Sequence, residues 1–129
     1  MNDFKHFPCI NTTTLSMLRR NTASNPAILD ELFGNFIEDA EELIKEIESG
    51  IKENQVESYF TAVHTLKGLC GTIGCTQMFE VLKVMDSLNK ENDFQLSKTF
   101  FDNLVETFQN TCTAIQSQVV SKDSATDES

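Results

Sequence analysis

Apolar residues recur in steps of three and four along most of this chain, broken by short polar stretches, which is the spacing of amphipathic helices rather than strands. Residues 1–10 carry Phe4, Phe7, Pro8 and Cys9 with no clear period and are expected to be an irregular lead-in. Thr12, Thr13 and Thr14 then supply candidate caps for a short helix through Leu15, Leu18 and Arg20, whose apolar side is expected to lid one end of the fold. Asn25 followed by Pro26 marks a helix start, because proline fits a first turn where its missing N–H is no loss. Ile28, Leu29, Leu32, Phe33, Phe36, Ile37, Ala40, Leu43, Ile44, Ile47 and Ile51 then define one long helix, with a turn near Asn54. The period runs across Gly34 and Gly50, so both glycines read alike as tolerated costs.

A second bundle helix is predicted from Val56 to Gly71 or Thr72, buried through Val56, Tyr59, Phe60, Val63, Leu66 and Cys70. Gly74 is the natural left-handed residue to end it, and Cys75 or Thr76 can cap the next helix. Met78, Phe79, Val81, Leu82, Met85 and Leu88 form the buried side of that third helix, a core stripe rather than a cofactor box. Asn89 to Phe94 is a polar connection, after which Leu96, Phe100, Phe101, Leu104, Val105, Phe108, Cys112, Ile115 and Val119 predict one continuous fourth helix. Residues 121–129 are expected to be a disordered acidic tail. The domain reading is therefore a lead-in over 1–10, a helical bundle over 11–120 and a tail over 121–129. The predicted fold class is all-α: an antiparallel four-helix bundle with a short additional N-terminal helix. Many functions use that architecture, so function has to be read from a site.

Composition narrows the field. The chain has 129 residues, enough for one domain with its own core, and only 5 Gly and 2 Pro, which favours long helices. A net charge of −10 repels nucleic acid and anionic membrane surfaces. No stretch approaches the ~18 apolar residues of a membrane span, and no basic-then-apolar leader opens the chain, so a cytoplasmic protein is expected. Cys9, Cys70, Cys75 and Cys112 contain no C-x-x-C pair, and Cys70 and Cys112 fall on apolar positions, so reduced thiols are expected. Glu38, Asp39, Glu41, Glu42, Glu46 and Glu48 lie off the apolar stripe of the long helix and read as a solvated face. His6 has no partner at metal or catalytic spacing.

The chemistry concentrates in His64 to Cys75. On the wheel of the second helix His64 falls roughly 140° from the middle of the buried stripe and points at water. Lys67 and Gly68 lie one turn on and Gly71 one turn further. A glycine inside a helix costs about 0.5 to 1 kcal/mol relative to alanine, so two on an exposed face suggest that something approaches closely there. From geometry alone two readings stay open: a plain surface histidine beside a helix fraying through glycines, or a site where an anionic group is attached and a partner docks over it.

The pattern H-x-x-K-G-x-x-x-x-x-G, carried by His64, Lys67, Gly68 and Gly74 with Gly71 between, resembles the signature of histidine-containing phosphotransfer (HPt) domains, the helical carriers of two-component phosphorelays. The resemblance covers roughly Asn11 to Val120. It implies that His64 accepts and donates a phosphoryl group and that Lys67 offsets the phosphoryl charge. It implies a carrier rather than an enzyme, with no cofactor or metal of its own, because the partner receiver domain supplies the acidic pocket, its aspartate and Mg²⁺. The implied partners are receiver domains and a sensor or hybrid histidine kinase. Thr61, Thr65, Gly68, Gly71 and Thr72 would face them, and Gly74 would be structural. At the offset where relatives carry a polar side chain beside the imidazole, usually an amide, this sequence has Asp86, which would orient the ring or be a plain surface aspartate. A monomer is expected, and the initial Met and acidic end fit a free-standing carrier.

Two other classes stand beside this reading. One is a docking bundle that binds a receiver or kinase without accepting phosphate. The other is an independent enzyme, disfavoured because the chain has only 2 His, no inward H-x-x-E pair and no Ser or Cys nucleophile with a paired base.

Overall fold

A computed structural model describes residues 4–88 and 93–119. The predicted acidic tail over 121–129 and most of the connection after Leu88 lie outside the described residues. Six helices are described: α1 (Thr12–Asn21), α2 (Ala27–Lys52), α3 (Val56–Ile73), α4 (Thr76–Ser87), α5 (Phe94–Lys98) and α6 (Phe101–Gln118). α2 packs on α3, α3 on α4, α4 on α6 and α6 back on α2, which closes the four-helix bundle. Phe33, Ile47, Tyr59, Leu66, Met78, Leu82, Met85 and Leu104 are fully enclosed between them. Each such side chain contributes about 1.5 to 3 kcal/mol of burial, so the ring of four long helices carries the stability.

The cap of α1 differs from the prediction. Asn11, not a threonine, accepts the Thr14 N–H on its side-chain oxygen at 2.8 Å. The Asn11 N–H in turn donates to Gly74 O at 2.7 Å, and Leu15 is buried, so α1 does lid the end of the bundle where α3 gives way to α4. At the other end of α1, the Arg19 guanidinium donates to Gln118 O and so satisfies a carbonyl at the negative end of α6.

Residues 4–10 of the lead-in are held against the start of α4. Neither Cys75 nor Thr76 caps α4 with its side chain. Instead Pro8 O accepts the Gln77 N–H at 3.1 Å and Phe7 O accepts from Gln77 Nε2 at 2.9 Å. Gln77 is buried and Ile10 joins the core, so the first turn of α4 is capped by backbone from a distant segment.

Gly34 and Gly50, alike in sequence, differ in space. A Cβ on Gly34 would meet nothing within 4 Å, whereas one on Gly50 would come 3.0 Å from Tyr59 Cβ and 3.2 Å from Tyr59 Cα. Gly50 is therefore where the backbones of α2 and α3 approach, just before Asn54 turns the chain with φ 56.

The predicted fourth helix is two helices. Leu96, placed inside by its spacing, is 46% exposed, and Ser97 is buried in its place. Thr99 Oγ1 donates to Leu96 O at 2.6 Å, a local bond that competes with helix continuation, and α6 restarts at Phe101. The buried face of α6 is also rotated: Thr107 and Thr111 are inside, while Phe101, Val105, Phe108 and Cys112 are half-buried. Both threonines are tolerated because their hydroxyls bond backward within the helix, Thr107 to Leu104 O at 3.0 Å and Thr111 to Thr107 O at 2.7 Å.

Candidate functional site

The α3 stripe of Tyr59, Phe60, Val63, Leu66 and Cys70 faces the core, which turns His64 outward with 71% of its side chain exposed. Opposite it, on the last turn of α4, Asp86 presents its carboxylate. Asp86 Oδ2 lies 3.0 Å from His64 Nδ1, and Lys67 Nζ donates to the same oxygen at 2.7 Å. An ionised carboxylate only accepts, so this contact assigns the proton to Nδ1 and leaves Nε2 with the ring's lone pair.

Asp86 stays ionised. Partial burial by itself pushes its carboxyl up, but the hydrogen bonds from Lys67 and His64, with the Lys67 charge, outweigh that and hold it below the usual carboxylate range. The turn that carries it is fixed from beneath. Ser97 Oγ donates to Met85 O at 3.0 Å, and because its proton is used there, Tyr59 OH is the donor in the 2.9 Å bond to Ser97 Oγ. Burial pushes the Tyr59 hydroxyl up to about 12, more than the Ser97 bond lowers it, so it keeps its proton. Sequence reasoning missed this chain, because Ser97 reads as an exposed polar position in a helix that the structure breaks.

The predicted site residues all lie on one surface except Gly74. Thr61, Thr65, Gly68, Gly71 and Thr72 are exposed along α3 on either side of His64. Thr65 Oγ1 donates to Thr61 O at 2.9 Å and Thr72 Oγ1 to Gly68 O at 3.1 Å, so their hydroxyl protons turn inward to the helix. A Cβ on Gly68 would meet nothing, which leaves bare backbone beside the imidazole. Gly71 is exposed too, and a Cβ there would make only an ordinary contact, 3.4 Å from the Phe79 ring, so packing against α4 does not demand a glycine. Gly74 ends α3 with φ 89, and a Cβ on it would come 2.9 Å from Thr14.

A shallow depression beside the imidazole is lined by Val56, Glu57, Phe60, Thr61, Thr65 and Asp86 together with His64 itself. Val56, predicted inside, is 40% exposed at the first position of α3. An apolar residue at the first position of α3 was the available signal for this surface. The four cysteines are all free, with Cys70 and Cys75 buried and Cys9 and Cys112 half-buried.

A family model described as the Hpt domain matches residues 31–118. The chain belongs to the Hpt domain family. Its members transfer phosphoryl groups on histidine in phosphorelays, act in general as carriers rather than enzymes, and interact with receiver domains and kinases. Comparisons with curated proteins and with solved structures give no match. No described helix is long and apolar enough to cross a membrane.

Proposed function

We propose that this chain accepts a phosphoryl group on Nε2 of His64 from a phosphoaspartyl receiver domain or a kinase and passes it to another receiver. The observation that carries this reading is the orientation of one ring: Nδ1 is tied to Asp86 at 3.0 Å, and Nε2 is left as the nucleophile on an exposed surface. A neutral imidazole whose proton sits on Nδ1 offers its lone pair at Nε2. In-line transfer then needs only that the partner's phosphoryl group reach that nitrogen, and the bare backbone at Gly68 keeps the approach open. Lys67 sits one turn away and can offset the incoming negative charge.

The partner covers both flanks of His64, with Gly68, Gly71 and Thr72 on one side and Thr61, Thr65 and the Val56–Phe60 depression on the other. Its own aspartate and Mg²⁺ complete the reaction centre, and the carrier holds the histidine. The test is incubation with several ³²P-phosphorylated receiver domains. Label should move to the wild-type chain and not to His64→Gln; undiminished transfer to His64→Gln, or none to wild type from any receiver, overturns the proposal.

A further inference from the structure

Asp86 makes two bonds through one oxygen, and the bond to the ring constrains the phosphorylated state as well as the free one. On the free ring Nδ1 carries the proton that Asp86 Oδ2 accepts at 3.0 Å. When Nε2 takes a phosphoryl group, Nδ1 can either keep that proton, giving a cationic phosphoimidazolium, or release it and expose a lone pair. Beside a carboxylate the second choice sets lone pair against lone pair, because an ionised carboxylate has no hydrogen to offer. A side-chain amide would tolerate both forms, since it can turn its N–H toward a bare nitrogen.

We infer that Asp86 is a positioning residue that keeps the Nδ1 proton in place throughout the phosphoryl cycle, so that the phosphohistidine is held in its labile, cationic form. This rests on the reading of His64 as the phosphoryl carrier. In the accepting step the Nε2 lone pair forms the N–P bond while the P–O bond of the donor's acyl phosphate breaks, and the aspartate leaves as carboxylate. In the donating step the N–P bond breaks and its electron pair returns to Nε2, giving back the neutral ring. No proton enters or leaves in either direction. Without the carboxylate the Nδ1 proton of the phosphorylated ring loses its charged acceptor and is released at lower pH. The resulting anionic phosphoramidate must regain a proton before it can donate.

Lys67 belongs to the same device. In the free chain its ammonium neutralises Asp86 at 2.7 Å. A phosphoryl group on Nε2 is a competing anion one turn away, and any shift of Lys67 toward it leaves more of the Asp86 charge for the ring proton. Among the described residues, the charged groups on this face are Lys67 and Glu57 from α3 and Asp86 from α4, while Glu80 and Lys83 of α4 pair with each other at 3.0 Å.

The experiment compares the full chain, Asp86→Asn and Asp86→Glu, each ³²P-labelled through a phosphorylated receiver domain, freed of it, and followed for loss of label from about pH 5 to about pH 9. At about pH 8 the phosphorylated Asp86→Asn chain should outlive wild type about tenfold, the effect of a one-unit displacement of the pH at which loss slows. The lifetimes should converge at the acid end, where both rings are protonated, and Asp86→Glu should return toward wild type. A merely structural role would instead change the rate of loss by the same factor at every pH, with no convergence at the acid end, and that result overturns the inference. Superimposed wild-type and Asp86→Asn profiles overturn the inference while leaving His64 as carrier. Label on none of the three chains overturns the carrier reading, and the inference falls with it.

Discussion

The same substitution at two glycines of α2 should change stability in opposite directions. Gly34 is exposed and an added Cβ meets nothing within 4 Å, so Gly34→Ala should gain the ordinary helix preference of alanine, about 0.5 to 1 kcal/mol. At Gly50 the added atom would lie 3.0 Å from Tyr59 Cβ, 3.2 Å from Tyr59 Cα and 3.3 Å from Gln55 O. Two of those three atoms are backbone, so no rotamer change relieves the contact and α2 must move away from α3. Overpacking of this kind costs about 1 to 3 kcal/mol, against which the same helix preference is gained, leaving Gly50→Ala about 0.5 to 2 kcal/mol less stable than wild type. The two variants should therefore differ by about 2 kcal/mol, or about 8 °C in melting temperature for a domain of this size. Thermal and urea unfolding followed by circular dichroism reads both. A Gly50→Ala chain as stable as wild type, or two variants that melt together, would show that α2 and α3 do not approach at Gly50.

Further outcomes follow from other parts of the bundle. Ser97→Ala strands the Tyr59 hydroxyl and Met85 O inside the protein and should cost about 2 to 3 kcal/mol, whereas Tyr59→Phe leaves the Ser97–Met85 bond intact and, through its lost hydrogen bond, should cost about 1; urea unfolding giving the reverse order would contradict the assigned donor directions. Because the folded Asp86 carboxyl titrates below its unfolded value, its contribution is full above the unfolded carboxylate range and is lost as pH falls through the folded value. The stability gap between wild type and Asp86→Asn should thus be widest near neutrality and close below about pH 4, and a gap independent of pH would refute the ion pairing. Burial raises all four thiols, Cys70 far above its ordinary value and Cys75 to about 12, while Cys9 and Cys112 are only half-buried. In the native chain iodoacetamide should therefore modify Cys9 and Cys112 before Cys70 and Cys75, and mass spectrometry showing Cys75 modified first would contradict the packing.

How much of this was legible in the sequence depends on whether a feature is local. His64, Lys67, Gly68 and Gly74 declare themselves because their roles follow from one helix: which way it faces, where its backbone is bare and where it must end. Asp86 could be placed by its offset on the next helix, but that one of its oxygens serves both His64 and Lys67 depends on how α3 and α4 cross. Gly34 and Gly50 are indistinguishable until the partner helix is known, since only Tyr59 across the contact makes one of them necessary. The division between α5 and α6 was hidden for a related reason: Leu96, Phe100 and Phe101 keep the helical spacing, while Ser97, whose bonds to Tyr59 and Met85 rotate the segment, carries no periodic signal. Thr107 and Thr111 do not read as core from the sequence, because their hydroxyls are satisfied within their own helix, which a hydropathy pattern does not register.

The central claim is that one nitrogen of His64 is free to carry the phosphoryl group while the other is held by Asp86. It is tested most directly by ¹⁵N and ³¹P NMR of the chain after transfer from a phosphorylated receiver. The account predicts a single phosphate bonded to Nε2 of His64 with Nδ1 still protonated and His6 unmodified. Phosphate on Nδ1, on His6 or on any other side chain would contradict it.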